Sequence, residues 1–545
     1  MPRFALTRFS FLALLLPFMS SAASYNIRDF GAVGDGVALD SPAVNAAIDA
    51  ATAAGGGKVI LPAGRYLCFS IRLKSHLTIE FAPGAVIVAA DPASGLGTYD
   101  AAEPSEWTGY QDFGHSHFQN SLIWGEDLVD VSIIGPGLID GTAGIVKFGP
   151  GARSDPGIDP TARMDGLANK AISLKNCRNV LLRDFSILRG GHFALLATGV
   201  DNFTLDHLKV DTNRDGFDID SCRNVRITNC SVNTPNDDAI VLKSSYALGH
   251  ARATENVTIS DCLVSGYDIG TMLDGTFQRN VTHSPDQDGP TGRIKLGTES
   301  NGGYRHITIT NCIFDRSRGL ALETVDGGAM EDIVVSNLTM RELSNSPIFI
   351  RLGNRARGPA GTPVATVKRI RISQISVSDG DGRFPIIIAG LPGHPIEDVT
   401  IEGIHVESAG GITMENVAEQ TPAMVNLFFQ RGQPPETVGP REPFDVPERE
   451  AGYPEPANFG LLPASAVYAR HVKNLVMRDI THRVARPDTR PAVVLDDVNG
   501  VLFEGLRAPR ENAPLFHLRD VTDFEAYRCA NSPDTRIAQV EREAW

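Results

Sequence analysis

The chain has 545 residues, of which 42% are hydrophobic and 21% are charged, an ordinary globular balance with ample material for a core. Its formal net charge of −15 makes nucleic acid and anionic membrane surfaces poor candidate partners. The 53 glycines and 34 prolines are typical of many short strands joined by turns.

Residues 1–23 have the pattern of a secretory signal peptide. Arg3 and Arg8 precede an apolar run at residues 9–19, which is too short to span a bilayer as a helix, and small residues follow it. No later stretch is long and apolar enough to cross a membrane. We therefore expect a soluble protein, secreted or periplasmic, whose single catalytic domain occupies residues 24–545.

A helix is predicted shortly after the leader. Ser41 is the expected N-cap and Pro42 the first helical position, and the glycines at 55–57 end the helix. A helix here can cover the apolar end of a stack of repeats, as terminal caps do in repeat folds.

A nine-residue segment with alternating apolar residues recurs along the chain and predicts a short β-strand in each copy. Neighbouring copies begin 23 and then 22 residues apart near the front, no helical pattern separates them, and a propeller blade needs ~40–45 residues. We predict an all-β, right-handed parallel β-helix with coils ~4.8 Å apart, and a β-sandwich is the alternative. The clearest copies lie at residues 179–187, 202–210, 224–232, 256–264, 306–314, 332–340, 369–377, 398–406 and 474–482.

The seven cysteines include no Cys-x-x-Cys pair, which argues against a metal site built from them. Cys177, Cys230 and Cys312 each follow an Asn, and Cys262 follows an Asp. A position that recurs inside a repeat predicts buried stacking instead of redox chemistry.

One acidic constellation follows the repeat spacing. Asp215 precedes Asp237 by 22 residues, and Asp238 follows directly. The three carboxylates should therefore meet on neighbouring coils, an arrangement that is costly unless it is used or compensated. Inverting glycoside hydrolysis needs one carboxylic acid for the leaving oxygen and one carboxylate to activate water, ~6.5–9.5 Å apart, and needs no metal or cofactor. Turn-stabilising Asp residues or Ca²⁺ ligands are the alternatives.

These residues resemble the polygalacturonase family, glycoside hydrolase family 28. That family carries an Asn-x-Asp motif followed about one coil later by Asp-Asp, here Asn213-Arg214-Asp215 and Asp237-Asp238. Residues 29–36 also resemble the N-terminal signature of bacterial members. The resemblance runs from about residue 25 to at least residue 340. It implies a pectic polysaccharide substrate, with Asp237 as general acid and Asp215 and Asp238 holding and activating water.

The chain departs from the family pattern after Asp-Asp. The family adds Gly-His-Gly one coil later and Arg-Ile-Lys one coil further, whereas this chain has no Gly-His-Gly. It does contain Arg293-Ile294-Lys295. However, residues 297–303, which include Glu299, resemble the segment that follows Gly-His-Gly in bacterial members.

In the shifted register, residues 318–324 occupy the place of Arg-Ile-Lys, so Ala321 and Glu323 replace the family's Arg and Lys. Glu323 would repel a galacturonate carboxylate. Either Arg293, Lys295 and Lys243 bind that carboxylate from the neighbouring coil, or the sugar there is not a uronate, as in rhamnogalacturonan.

Three further segments are candidates for shaping the cleft. His192 lies 23 residues before Asp215 and could line the cleft, or it could be a satisfied core or surface His. Residues 274–291 form a polar insertion that could close one end and give exo action. Residues 410–465 break the repeat and are either an excursion toward the cleft or a solvated linker.

Three functions are weighed: an inverting glycosidase acting on galacturonan or rhamnogalacturonan, a Ca²⁺-dependent pectate lyase, and a non-catalytic saccharide-binding β-helix. The first is favoured because three acids converge. We expect a monomer.

Overall fold

The computed structural model describes residue 1 and residues 23–145, 166–430, 433–509 and 513–545. Its strands form one continuous sheet that winds into a parallel β-helix, as predicted. The predicted leader lies, apart from its two end residues, outside the described residues.

The strands β1 to β35 are, in chain order, Ser24–Asn26, Asp35–Leu39, Gly57–Leu61, Gly64–Cys68, Ile71–Arg72, Leu77–Phe81, Ala85–Ala89, Ile123–Glu126, Val129–Ile134, Leu138–Asp140, Lys170–Lys175, Arg178–Arg183, Ser186–Leu188, Phe193–Thr198, Asp201–Asp206, Lys209–Asp211, Asp215–Asp220, Arg223–Thr228, Ser231–Asn233, Ile240–Ser244, Thr254–Ser260, Leu263–Ser265, Ile294–Ser300, Tyr304–Thr310, Ile313–Asp315, Leu320–Thr324, Met330–Arg341, Ile348–Leu352, Val367–Gly380, Ile386–Ala389, Ile396–Gly410, Val467–Arg486, Val493–Glu504, Phe516–Tyr527 and Thr535–Ala544.

Each central coil contributes three strands, and each strand pairs in parallel with its counterpart one coil later. In the column formed by β12, β15, β18 and β21, Val180, Phe203, Val225 and Val257 are in register and buried. Alternation along each strand sends every second side chain into this shared core. The repeats read from the sequence therefore correspond to coils.

An asparagine ladder marks one corner of the helix. Asn179, Asn202, Asn224 and Asn256 all have a positive φ between 54° and 59°. The side-chain amides of the last three donate to the Asn of the preceding coil, at 2.9, 3.2 and 3.1 Å, and that of Asn179 donates to Asp130 at 2.7 Å. Asn tolerates this left-handed conformation better than most residues, which explains its recurrence at the corner.

The cysteine prediction is partly wrong. Cys230, Cys262 and Cys312 do stack, since the strands on either side of them pair in register. Cys177 instead aligns with Cys222 at another corner, because Arg178 pairs through Asp201 with Arg223. All seven cysteines are free and buried.

The α-helices among the described residues are α1 (Ser41–Ala53), α2 (Phe113–Ser116) and α3 (Met414–Glu419). The predicted capping helix is α1, and it packs against the first coil. Its N-cap is Asp40 and not Ser41, and the Asp40 carboxylate accepts from the amides of Val33 and Gly34 instead of capping the helix. None of the described helices is long and apolar enough to cross a membrane.

Four long connections flank one face of the β-helix, the face that contains β14, β17, β20, β23 and β26. Three of them, at residues 90–122, 266–293 and 411–466, lead into strands of this face, and residues 353–366 leave it. The repeat fixes the floor of any site on this face, and the four connections supply its walls.

Candidate active site

Three carboxylates from two neighbouring coils meet at the floor of a cavity. Asp215 begins β17, and Asp237 and Asp238 precede β20, which stacks on β17. One oxygen of each lies within 4.8 Å of the other two, and Asp215 Oδ1 accepts from the Asp238 amide at 3.2 Å. The spacing argument is confirmed: the acids meet on neighbouring coils, and their nearest oxygens are closer together than the ~6.5–9.5 Å expected between the two carboxyl groups of an inverting pair.

The three acids have different surroundings. Burial and the neighbouring charge of Asp237 raise the pKa of Asp215 well above its usual value. Burial alone would raise the pKa of Asp238, but Lys295 and Arg293 hold it well below the usual range. Asp237 has the most exposed side chain, 23% against 5% and 4% for the other two.

Lys243 lies between Asp215 and a further group of buried polar side chains. Its Nζ lies 3.5 Å from Asp215, 3.3 Å from Asp218, 3.4 Å from Glu299 and 2.8 Å from His115 Nε2. Burial opposes its charge, but the surrounding carboxylates raise its pKa well above the usual value. Lys243 therefore stays charged and compensates several buried acids at once.

Arg293 and Lys295 lie one coil beyond the acids. Arg293 Nε donates to Asp238 at 2.7 Å, and Lys295 Nζ lies 3.3 Å from the same carboxylate. Arg293 also binds Glu455 at 3.1 Å, and Lys295 lies 3.6 Å from Glu323. Because β26 stacks on β23, Glu323 is one coil further on, which agrees with the shifted register.

The four long connections close around this floor and leave a cavity of about 370 Å³. This is near the lower end of the ~300–1,000 Å³ typical of ligand pockets. The walls include Asp112, Asp286, Arg357, Phe429 and Tyr453, so each of the four connections contributes. The excursion at 410–465 therefore reaches the cleft.

Some predicted residues are near the site without lining it. Asn213 is buried and its side-chain oxygen accepts from Asn236. His192 is buried against the Phe193 ring, and burial lowers its pKa to about 4. Glu323 is wholly buried behind Lys295. The cavity is lined by the other predicted residues, Asp215, Asp237, Asp238, Lys243, Arg293, Lys295 and Glu299.

Several site residues were not predicted. Asp112 and His115 come from the connection at 90–122, and Asp112 Oδ1 lies 2.7 Å from His115 Nδ1. Tyr453 and Glu455 come from the excursion, where the Tyr453 hydroxyl is 3.1 Å from Lys295 Nζ. These segments have no repeat that would place them, and the break in periodicity was the only signal.

The three acids could also hold a divalent cation, the arrangement that a lyase would need. However, protein cations already pair with all three of them. Arg214 Nη2 lies 2.5 Å from Asp237, Arg293 binds Asp238, and Lys243 Nζ lies 3.5 Å from Asp215. The geometry is therefore that of a charge-compensated acid cluster.

Comparisons with known proteins agree with this geometry. Residues 106–266 match the family model described as Glycosyl hydrolases family 28. The chain is related to glycosyl hydrolase family 28. Residues 24–111 match a second model, Rhamnogalacturonase A/epimerase, pectate lyase-like.

A curated relative is the probable polygalacturonase of Vitis vinifera, 25% identical over 339 residues, which are 59% of this chain and 62% of that protein. The chain thus covers less than two thirds of the relative's length. The family 28 exopolygalacturonase of Yersinia enterocolitica superimposes with a TM-score of 0.63 at 18% identity, covering 90% of this chain and 79% of the other. The exopolygalacturonase of Thermotoga maritima gives 0.54 at 21% identity, covering 71% and 87%. The two structures support the fold.

Proposed function

We propose that this chain is a glycoside hydrolase that cleaves glycosidic bonds in a pectic polysaccharide. The observation that carries the proposal is the convergence of Asp215, Asp237 and Asp238 within 4.8 Å at the floor of a saccharide-sized cavity. The relation to family 28 and the names of the relatives support the substrate class. The predicted leader supports export, with residues 24–545 acting as one catalytic unit.

The different surroundings of the three acids suggest a different catalytic role for each. Asp237, the most exposed, donates a proton to the glycosidic oxygen as the bond from that oxygen to the anomeric carbon breaks. Asp238, held ionised by Arg293 and Lys295, takes a proton from the water whose oxygen bonds to that carbon. Asp215, whose pKa is raised by burial and by the neighbouring charge of Asp237, helps to hold the water.

The walls favour action at a chain end. Asp112, from a connection early in the coil stack, lines the cavity together with residues of the later 353–366 connection and of the excursion. Walls from both directions along the stack leave less room for a long polymer to lie across the floor than for a chain end to enter it. We therefore include exo action in the proposal.

The test is product analysis on homogalacturonan and rhamnogalacturonan, with wild type and Asp237→Asn. The variant should lose about 10²–10⁴ in kcat, the usual contribution of a general acid. Asp201→Asn is the control, because Asp201 pairs with Arg252 away from the cavity. Normal turnover in Asp237→Asn would reject the assigned role.

A second measurement separates hydrolysis from elimination. Activity should survive EDTA, and the products should show no ultraviolet absorbance from an unsaturated sugar. Loss of activity with EDTA together with absorbing products would identify a lyase instead.

A further inference from the structure

The cations that line the cavity are almost all neutralised by the protein itself. With one exception, each has a carboxylate oxygen within 4.0 Å among the described residues. The pairs are Arg214 with Asp237, Lys243 with Asp215, Arg293 and Lys295 with Asp238, Arg318 with Asp286, and Arg355 with Asp326. The exception is Arg357, which is exposed at the rim.

The balance of positive and negative side chains is least favourable to a bound anion beside Arg293 and Lys295. These two cations face three carboxyl groups, those of Asp238, Glu323 and Glu455. Glu455 also lies 3.8 Å from Arg318, which already pairs with Asp286. The side chains of Arg293, Lys295 and the three acids that face them are nearly inaccessible to solvent, with side-chain exposures of 4% or less. Charges in such a dry environment interact far more strongly than they do in water.

When Glu323 is ionised, a sugar carboxylate placed here adds a negative charge beside three carboxylates. Such like-charge contact opposes binding. By contrast, the oxygens of Asp238 and Glu455 and the Tyr453 hydroxyl, which line the cavity, can accept hydrogen bonds from sugar hydroxyl groups. The surroundings therefore match an uncharged sugar, whose hydroxyl groups supply donors and no negative charge.

We infer that the sugar unit that lies against Arg293 and Lys295 carries no negative charge. It is a neutral deoxyhexose or hexose, or a uronate whose carboxyl group is esterified. This specificity rests on the proposed function and narrows it, and Glu323 and Glu455 are the residues that set it.

The test uses three oligosaccharides of equal length: oligogalacturonate, its full methyl ester, and an oligomer that alternates galacturonate with rhamnose. The full chain should show kcat/KM about ten-fold or more higher on one of the two substrates with uncharged units than on plain oligogalacturonate. Which of the two is preferred separates an ester from a neutral sugar. Equal or better cleavage of plain oligogalacturonate would overturn the inference and leave the hydrolase proposal standing. Cleavage of none of the three would overturn the proposed function itself.

A variant tests the assigned residue directly. In the inactive Asp237→Asn background, Glu323→Gln should tighten binding of plain oligogalacturonate several-fold by calorimetry at about pH 8, where Glu323 is ionised in the parent. The gain should vanish at about pH 5, because burial raises the pKa of Glu323 to about 7 and the parent is then already neutral.

Glu455→Gln provides a second variant should Glu323→Gln fail to fold. Asp496→Asn is the matched control, because Asp496 is a buried acid paired with Arg470 and Arg519 on later coils. The control should leave the relative binding of the three oligosaccharides unchanged. Unchanged binding in folded forms of both Glu variants would exclude their role in specificity.

Discussion

Asp215 and Asp238 carry the same functional group, but their surroundings shift their pKa values in opposite directions. Asp238 contacts Arg293 and Lys295, whereas Asp215 is buried beside another acid. Arg214 contacts Asp237, which is open to the cavity. When the surroundings of two carboxyl groups make their pKa values differ, one site can supply both a general acid and a general base.

The pH dependence of the rate follows from this division. Because burial and the neighbouring charge of Asp237 raise the pKa of Asp215 well above its usual value, the acid cluster should keep a proton at pH values where a free Asp has lost it, and kcat/KM should fall as pH rises through this raised pKa. Asp215→Asn removes the group with the raised pKa, so the alkaline limb should move to lower pH. The measurement is kcat/KM against pH for both proteins, and an unmoved limb would contradict a role for Asp215 in this limb.

The stereochemical outcome is a separate prediction. The family resemblance implies inversion, although the nearest carboxylate oxygens lie within 4.8 Å of one another. We expect proton NMR, recorded within minutes of mixing, to show a first product with the opposite anomeric configuration to the cleaved bond. Retention would mean that one acid acts as a nucleophile at this short separation.

At the scale of the element, the corner ladder shows how a repeat is held in register. Asn202 donates to Asn179 and accepts from Asn224 with its side chain, while its φ is 54°. Few side chains satisfy both requirements, because a positive φ is strained for most residues. The ladder therefore combines conformational tolerance with hydrogen bonds between coils.

Two substitutions separate these contributions. Asn202→Ala loses both hydrogen bonds and places a Cβ without compensation at positive φ, so it should cost about 2–3 kcal/mol. Asn202→Gly loses the same bonds but tolerates the conformation, and should be about 1 kcal/mol less destabilising. Urea denaturation of the two variants measures the difference, and equal losses would show that backbone strain plays no part.

At the scale of the molecule, positions on the regular coils could be predicted from the sequence, whereas positions on the irregular connections could not. A spacing of 22 residues placed Asp215 one coil before Asp237, whereas Arg293 and Lys295 were assigned to a coil through the family resemblance of residues 297–303 and 318–324. Asp112 and Glu455 could not be placed, because irregular connections have no period and their positions depend on tertiary packing. For Cys177 the prediction was wrong for a different reason. It follows an Asn, as Cys230 and Cys312 do, but this shared dipeptide does not place it at the same corner of the β-helix.

The irregular connections also determine how the enzyme binds its polymeric substrate. If the connections at 90–122 and 353–366 and the excursion close the cavity, the enzyme shortens chains from their ends. The viscosity of a pectic substrate should then fall slowly while reducing ends accumulate, and one short product should dominate from the start. Substituting Phe428 and Phe429 of the excursion by Ala widens the cavity wall, so viscosity should fall faster for each bond cleaved. A wild-type enzyme that collapses viscosity at the first few per cent of cleavage would show that the walls open to admit chain interiors.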